Sequence, residues 1–475
     1  MRQAASLEGE SPASPVTATR QEKSAWLALI ALLLGTFCGT LNNNIVNVPL
    51  KDIMRSLHVP LSEGVLVVVA FNLTFAVLMP LTGWLGDRFG RRRVFLCALV
   101  TLSGGAIGAA VSPTLPILVG FRVVQGAATA AILPTVMSII TDVFGPQRRA
   151  RALGWWAAVN GLGQAVGPPL GGFLVEFASW RAIFWPVVPL TIIAAGLTLR
   201  FVPSSPSRFI AMDWPGALTL TLGAALLIGA ATAVPKAGAL SVPVIALAVT
   251  GCATVVWFWT TTRDDRQSFV PRRLFREIAF LRSSLAVFAQ MFCLASTLLA
   301  VPLYLTKEVG VSAAHAGALI FGLPVAMTVL APVAGFVTER LGARQVIRGG
   351  LLALAAAEGL LGVELVNHNG RGMDLVAALL LAGAGVAFVQ TPSAMGVTRS
   401  EAGRHGSALG LFNLVRFAGS ALGAAWVAVA LGAGQPFGML FAVSGCVAVL
   451  GVAGTFAGTV VDAGPPTERG GVLPG

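Results

Sequence analysis

The stretch Gly83-Trp84-Leu85-Gly86-Asp87-Arg88-Phe89-Gly90-Arg91-Arg92 returns in degenerate form as Gly335-Phe336-Val337-Thr338-Glu339-Arg340-Leu341-Gly342-Ala343-Arg344. Both copies read glycine, three residues, acid, arginine, any residue, glycine, any residue, arginine, and both lie between long apolar runs. Glycine supplies the backbone freedom that a tight charged turn needs. Such a turn cannot sit in hydrocarbon, where backbone polar groups must be satisfied internally, so it marks a place where two membrane helices meet water. A copy in each half implies a duplicated helical bundle, the plan of a two-halved transporter.

Composition agrees. The chain is 56% hydrophobic and 11% charged, with mean hydropathy +0.82, whereas a soluble domain carries about 25% charged residues to cover itself. The expected class is an all-α polytopic membrane protein with about fourteen spans of roughly 20 residues. Their approximate limits are 25–48, 64–84, 94–112, 115–140, 151–173, 182–202, 213–234, 241–262, 281–305, 314–338, 345–366, 373–396, 405–430 and 437–460. Arginines crowd alternate loops, among them Arg88 to Arg93, Arg148 to Arg151, Arg263 to Arg276, Arg340 to Arg344, and Arg399 with Arg404. The formal charge of +12 is thus a positive-inside pattern and not a nucleic-acid surface. It places those loops in the cytoplasm and, with an even number of spans, both termini there too.

The five cysteines lie within apolar runs and form no disulfide framework. The four histidines stand at span ends without metal-ligand spacing, so no metal, no cofactor and no enzyme activity is expected. The polar first 24 residues read as a disordered cytoplasmic tail, and the first span as an uncleaved signal anchor.

A second trace of duplication is longer. Arg148 through Gly167 can be laid on Arg404 through Gly423 at one offset, matching Ala152-Leu153-Gly154 with Ala408-Leu409-Gly410 and placing Asn160 on Arg416. The chain therefore divides into a tail (1–24), a six-helix bundle (25–202), an inserted helix pair with a cytoplasmic linker (203–280), a second six-helix bundle (281–460) and a cytoplasmic tail (461–475).

Several motifs together resemble the major facilitator superfamily, specifically its fourteen-span drug:proton antiporter branch, over roughly residues 25–460. GWLGDRFGRRR at 83–93 resembles the family's loop between spans two and three. RVVQGAATAA at 122–131 resembles its fourth-span signature, and GLGQAVGPPLGG at 161–172 the fifth-span signature of antiporters. LNNNIVNVPL at 41–50 and WRAIFWPVVP at 180–189 resemble motifs of the branch. The resemblance implies a major facilitator fold that exports small molecules from the cell membrane by proton antiport. One position departs from it: the branch carries Asp where Asn42 stands, and an amide cannot carry a proton.

Four groups of candidate residues follow. Gly83, Gly86, Asp87, Arg88, Gly90, Arg91 and Arg92 form a conformational latch, with Asp87 facing the positive end of the next helix; for Arg92 a plain topological anchor is the better reading. Arg122 and Gln125, on one stripe with Thr129, together with Arg416 and the mid-span Glu358, are coupling and cavity candidates. An Arg at that depth costs at least ~2.5 kcal/mol unless paired. By the resemblance Arg122 faces the cavity and assists proton coupling; Glu358 is a proton carrier, a lipid-facing group or a bridge between helices. Arg416 is expected to hold an anionic group of the substrate or to pair with Glu358.

Uncharged amides, Asn42, Asn43, Asn47, Asn160, Gln164, Gln290, Gln390 and Asn413, suit an amphipathic substrate, Asn43 and Asn47 sharing a helix face. Gly163, Gly167 and Gly171, with Gly172 and the helix-bending Pro168 and Pro169, form a smooth gate face on span five. The partners expected are a small-molecule substrate, protons and membrane lipids, with the protein acting as a monomer. A specific natural product or a lipid as cargo, and a non-transporting membrane sensor, are the alternative readings.

Overall fold

The apolar runs become helices at every expected position. The computed structural model describes residues 15–204, 212–238, 240–262, 268–311, 313–366, 373–400 and 405–456, and no strand occurs among them. In chain order the helices are α1 (Pro15–Asn44), the short α2 (Leu50–Leu57) and α3 (Leu61–Gly64), α4 (Leu66–Phe89), α5 (Arg91–Ala110), α6 (Leu115–Val143), α7 (Pro146–Phe177), α8 (Val187–Phe201), α9 (Trp214–Ala237), α10 (Val242–Thr261), α11 (Ile278–Lys307), α12 (Ala313–Ile320), α13 (Gly322–Leu341), α14 (Ala343–Val366), α15 (Met373–Arg399), α16 (Gly406–Gly432) and α17 (Phe437–Gly454). Among the described residues, 13 helical segments are long and apolar enough to cross a membrane. The fourteenth expected span, 151–173, is α7, a helix of 32 residues whose arginines, amides, glycines and prolines dilute its apolar character.

Two expectations need correction. The first helix starts at Pro15, so residues 15–24 are helical and not a structureless tail; Pro at the first helical position and the run after it, free of glycine and further proline, favour this. Residues 1–14 and the C-terminal tail at 461–475 lie outside the described residues. At its other end α1 stops at Asn44 and not at 48. Consecutive asparagines compete for backbone groups, and Pro49 disfavours helix at the residue before it. Asn47 therefore sits exposed in a turn and shares no helix face with Asn43. Helix α7 runs on through Pro168 and Pro169.

The packing is duplicated as the motifs are. In the first half α4 packs on α6, α6 on α5, α1 on α7 and α8, and α5 on α8. In the second half α13 packs on α15, α15 on α14, α11 on α16 and α17, and α14 on α17. Two related pairs join the halves: α4 with α16, and α7 with α13. The inserted α9 and α10 pack on each other, and α9 lies against both α4 and α16, over one of those seams. Asp213 caps α9, accepting from Gly216 N at 2.9 Å, and also accepts from Phe269 N at 3.1 Å, which ties the linker to the insertion.

The seams require glycine because backbone meets backbone there. A side chain at Gly83 or Gly406 would enter the other's main chain, and one at Gly335 would meet the carbonyl of Ala150, the corresponding position of the other seam. Further in, a Cβ on Gly154 would stand 2.9 Å from the Ala331 carbonyl oxygen. The turn glycines Gly90 and Gly342 both have positive φ, 94° and 83°, a conformation open to glycine at no steric cost. Gly154→Leu should force α7 from α13 at a cost of about 1–3 kcal/mol for overpacking. A lower thermal midpoint of the purified protein, with membrane insertion retained, is the expected result.

Candidate functional site

Asp87 ends α4 at the arginine-rich face, where its carboxylate does two things. One oxygen accepts from Arg91, at 3.1 Å from Nη2 and 3.3 Å from Nε. The other accepts from the backbone N–H of Gly406 at the start of α16, in the opposite half. The helix end it meets is thus that of α16 and not that of the next helix in the chain. The physics is as anticipated, an anion against unsatisfied N–H groups and a positive helix terminus, but the contact crosses the seam. Arg91 also holds Asp142 at the end of α6, at 2.7 Å, and donates to the Ser138 carbonyl at 3.1 Å. Arg92 caps the C-terminal end of α8 by donating to the Leu199 carbonyl at 2.5 Å. Arg88 is half-buried at the same turn.

The degenerate second copy repeats this work. Glu339 accepts from Arg151 Nε near the start of α7, at 3.0 Å and across the other seam. Arg344, which corresponds to Arg92, donates to the Thr455 carbonyl at the end of α17, at 2.9 Å. Arg149 adds a bond from α7 to the Thr398 carbonyl at the end of α15, at 3.2 Å. The Glu339–Arg151 pair was missing from the candidate residues, although the alignment of the two copies places Glu339 directly on Asp87.

Deeper, the two buried arginines differ. Arg122 on α6 donates from Nε to the Val67 carbonyl at 3.0 Å, and from Nη1 to the Asn42 carbonyl at 3.1 Å and Gln125 Oε1 at 2.9 Å. Its guanidinium lies 4.2 Å from the centre of the Phe71 ring. The expected stripe continues to Thr129, whose hydroxyl donates to the Gln125 carbonyl at 2.8 Å. Arg122 therefore stitches α6 to α1 and α4 through main-chain carbonyls. Arg416 on α16 lies at the seam, donating from Nη2 to Gln390 Oε1 on α15 at 3.1 Å. The Phe417 and Trp156 rings stand 5.3 Å and 5.6 Å from its guanidinium carbon. No ion pair joins Arg416 to Glu358 among the described residues.

The amides divide by depth. Asn42 and Gln290 are fully buried, and both polar atoms of each side chain lack a partner among the described residues. They correspond in the duplication, because α7 glycines pack on α1 around Asn42 as α16 glycines pack on α11 around Gln290. Asn413 donates to the Leu409 carbonyl at 3.0 Å and reaches Met137 Sδ across the seam at 3.4 Å. Asn160 is buried, and Gln164 donates to its carbonyl at 3.3 Å. Asn43 is half-buried and Asn47 exposed. The eight candidates thus do not line a single wall.

The gate glycines face α1 of their own half. A side chain on Gly163 would enter Thr40, one on Gly171 the Ile45 carbonyl, and a Cβ on Gly167 would stand 2.8 Å from Asn44 Cβ; Gly172 is looser, 3.5 Å from Val48. In the second half Gly419 and Gly423 pack the same way on the Phe288 and Phe292 carbonyls of α11. Glu358 on α14 is fully buried, so the lipid-facing reading fails. Thr297 on α11 donates to one of its oxygens at 2.9 Å, and the other oxygen has no partner among the described residues.

Comparison with known proteins bears on the whole chain. The model of the Major Facilitator Superfamily matches residues 32–262 and 283–473. Multidrug resistance protein Stp of Mycobacterium tuberculosis is 32% identical over 419 residues, covering 85% of this chain and 77% of that protein. Drug efflux pump JefA of the same species is 29% identical over 422 residues, covering 86% and 82%. Among solved structures, the human organic anion transporter MFSD10 (TETRAN) superposes with TM-score 0.66, covering 92% of this chain and 99% of that one. At 18% identity that likeness shows the fold alone.

Asp87→Asn removes the charge that holds Arg91 and the α16 terminus, interactions worth about 1.5–3 kcal/mol each when one partner is ionised. Transport should slow by roughly tenfold with insertion intact; an unchanged rate would show that Asp87 is no latch.

Proposed function

The chain belongs to the major facilitator superfamily, as a multi-pass membrane transporter and not an enzyme, and on that premise we propose that it exports amphipathic, drug-like small molecules from the cytoplasm by alternating access and proton antiport. Its similarity to the multidrug resistance protein Stp and the drug efflux pump JefA supports efflux of this kind. The arginine-rich loops face the cytoplasm by the positive-inside rule, and both termini lie on that side of the cell membrane.

One observation carries the mechanism. The ties between the halves start at the arginine-rich face, with Asp87 on Gly406 and Glu339 on Arg151, and run inward to Phe75 against Phe417 and Asn413 against Met137. Such a distribution supports a conformation sealed on the cytoplasmic side. Breaking the two symmetric latches would let the bundles rock the other way around the seam, a rigid-body transition of a familiar kind.

Proton coupling needs a group that gains and loses a proton within the membrane, and Asn42 cannot do so. Glu358 fills the role: it is the one fully buried carboxyl among the described residues, held by a hydroxyl and no cation. Arg122 supports the architecture around the first-half site rather than exchanging protons itself, since its Nε and Nη1 are occupied by carbonyl oxygens.

Inverted membrane vesicles provide the test. Ethidium should accumulate when the lumen is made acidic and stay out when it is not. In Glu358→Gln vesicles the response to the pH difference should disappear. Wild-type uptake indifferent to pH would exclude proton antiport of that dye, and a normal response in the variant would remove Glu358 as carrier.

A further inference from the structure

Arg416 is buried to 1% exposure at the seam, about 15 Å along α16 from Gly406 at 1.5 Å per residue, close to the middle of a bilayer core about 30 Å thick. Of its three nitrogens only Nη2 is bonded, to Gln390; Nε and Nη1 have no partner among the described residues. Two unpaired donors stand beside it, Nε2 of Gln390 on α15 and Nε1 of Trp156 on α7, and the unpaired Oδ1 of Asn413 lies one turn away on α16. No carboxylate among the described residues is in ion-pair contact with it. Arg122 differs in degree: two of its nitrogens, Nε and Nη1, are bonded to carbonyls and Gln125, and only Nη2 has no partner among the described residues.

We infer that Arg416, with Gln390 and Trp156, anchors an anionic group of the cargo, so that the exporter takes amphipathic organic acids. A cluster that offers N–H donors around a permanent cation selects an oxyanion, and charge-assisted bonds to an oxyanion are the strong ones. The rings of Trp156 and Phe417 beside the guanidinium favour a cargo with a flat apolar body next to its acid group. Because Trp156 belongs to the first half and Arg416 to the second, the bound anion bridges the seam. Loading is then sensed by both moving bodies, and access to the site requires the cytoplasmic latches to open. The inference deepens the efflux reading and rests on it.

Binding and transport separate the two. With purified wild-type protein, 1-naphthaleneacetate and 1-naphthalenesulfonate should raise the thermal midpoint, while the methyl ester of the acetate, equal in apolar body and lacking the charge, should not. Arg416→Gln should weaken the acid-induced shift at least tenfold in concentration, and Arg416→Lys should restore part of it. A methyl ester as effective as the acid, acids without effect on the wild type, or an unchanged response in Arg416→Gln would each overturn the anion site. The wild-type comparison of acid with ester stands even if the variant fails to fold. In vesicles, wild-type protein that moves ethidium yet ignores both acids would leave efflux standing and remove this inference. Protein that is stabilised by the acids yet moves neither them nor ethidium would leave the anion site and remove efflux.

Discussion

Close backbone contact at two seams is the constraint on which the rest depends. Gly83 against Gly406 and Gly335 against Ala150 bring helices of opposite halves together with no side chain between them. In lipid there is little hydrophobic force to press two helices together, and small residues let them gain dispersion contacts instead. The same closeness places the Asp87 carboxylate on the α16 terminus and Glu339 beside Arg151. These two acid contacts are thus consequences of the seam: a bulkier residue there would withdraw the acids from their donors before any charge was changed.

The loop motif divides its labour in a way that explains its composition. The acid faces across the seam, while an arginine from each copy turns back into its own half. Arg92 satisfies the end of α8, and Arg344 satisfies the end of α17. Last-turn carbonyls need donors, and a cation at a helix C-terminus is favoured. Arg91, corresponding to Ala343, occurs in the first copy alone and binds both Asp87 and Asp142. With Asp87 and Asp142 at 9% and 47% side-chain exposure, the Asp142 pair is the more strongly screened of the two. The first set of contacts is the more elaborate, which fits the degeneracy of the second sequence copy.

Between the seams the interior holds cations and amides without matching acids. Arg122 and Arg416 are both buried, yet Arg122 bonds through two of its nitrogens and keeps one without a partner among the described residues, while Arg416 bonds through one and keeps two. The carboxyl group that the resemblance places at position 42 is absent, and the buried acid lies instead on α14, behind α11. In the proposed mechanism coupling and cargo recognition are separated in space, the first within the second half and the second on the seam between halves.

The helix positions, the duplication and the charge of the arginine-rich loops were legible in the chain, because span length and loop charge follow from local composition. So was Arg122 with Gln125 and Thr129 as one stripe, which follows from the spacing of 3.6 residues; Asp87 was legible as an acid at a helix terminus, but not the helix it meets. The end of α1 was misread, because a helix terminus is decided by competition among asparagines, Pro49 and packing. What only the tertiary structure decided was which residues are spent and which remain free. Asp87 meets α16 and not α5; Glu358 turns inward to Thr297; Arg416 faces Trp156 from the other half. Those partners lie on separate helices, and such meetings are set by how the two halves dock, for which no local pattern carries a signal.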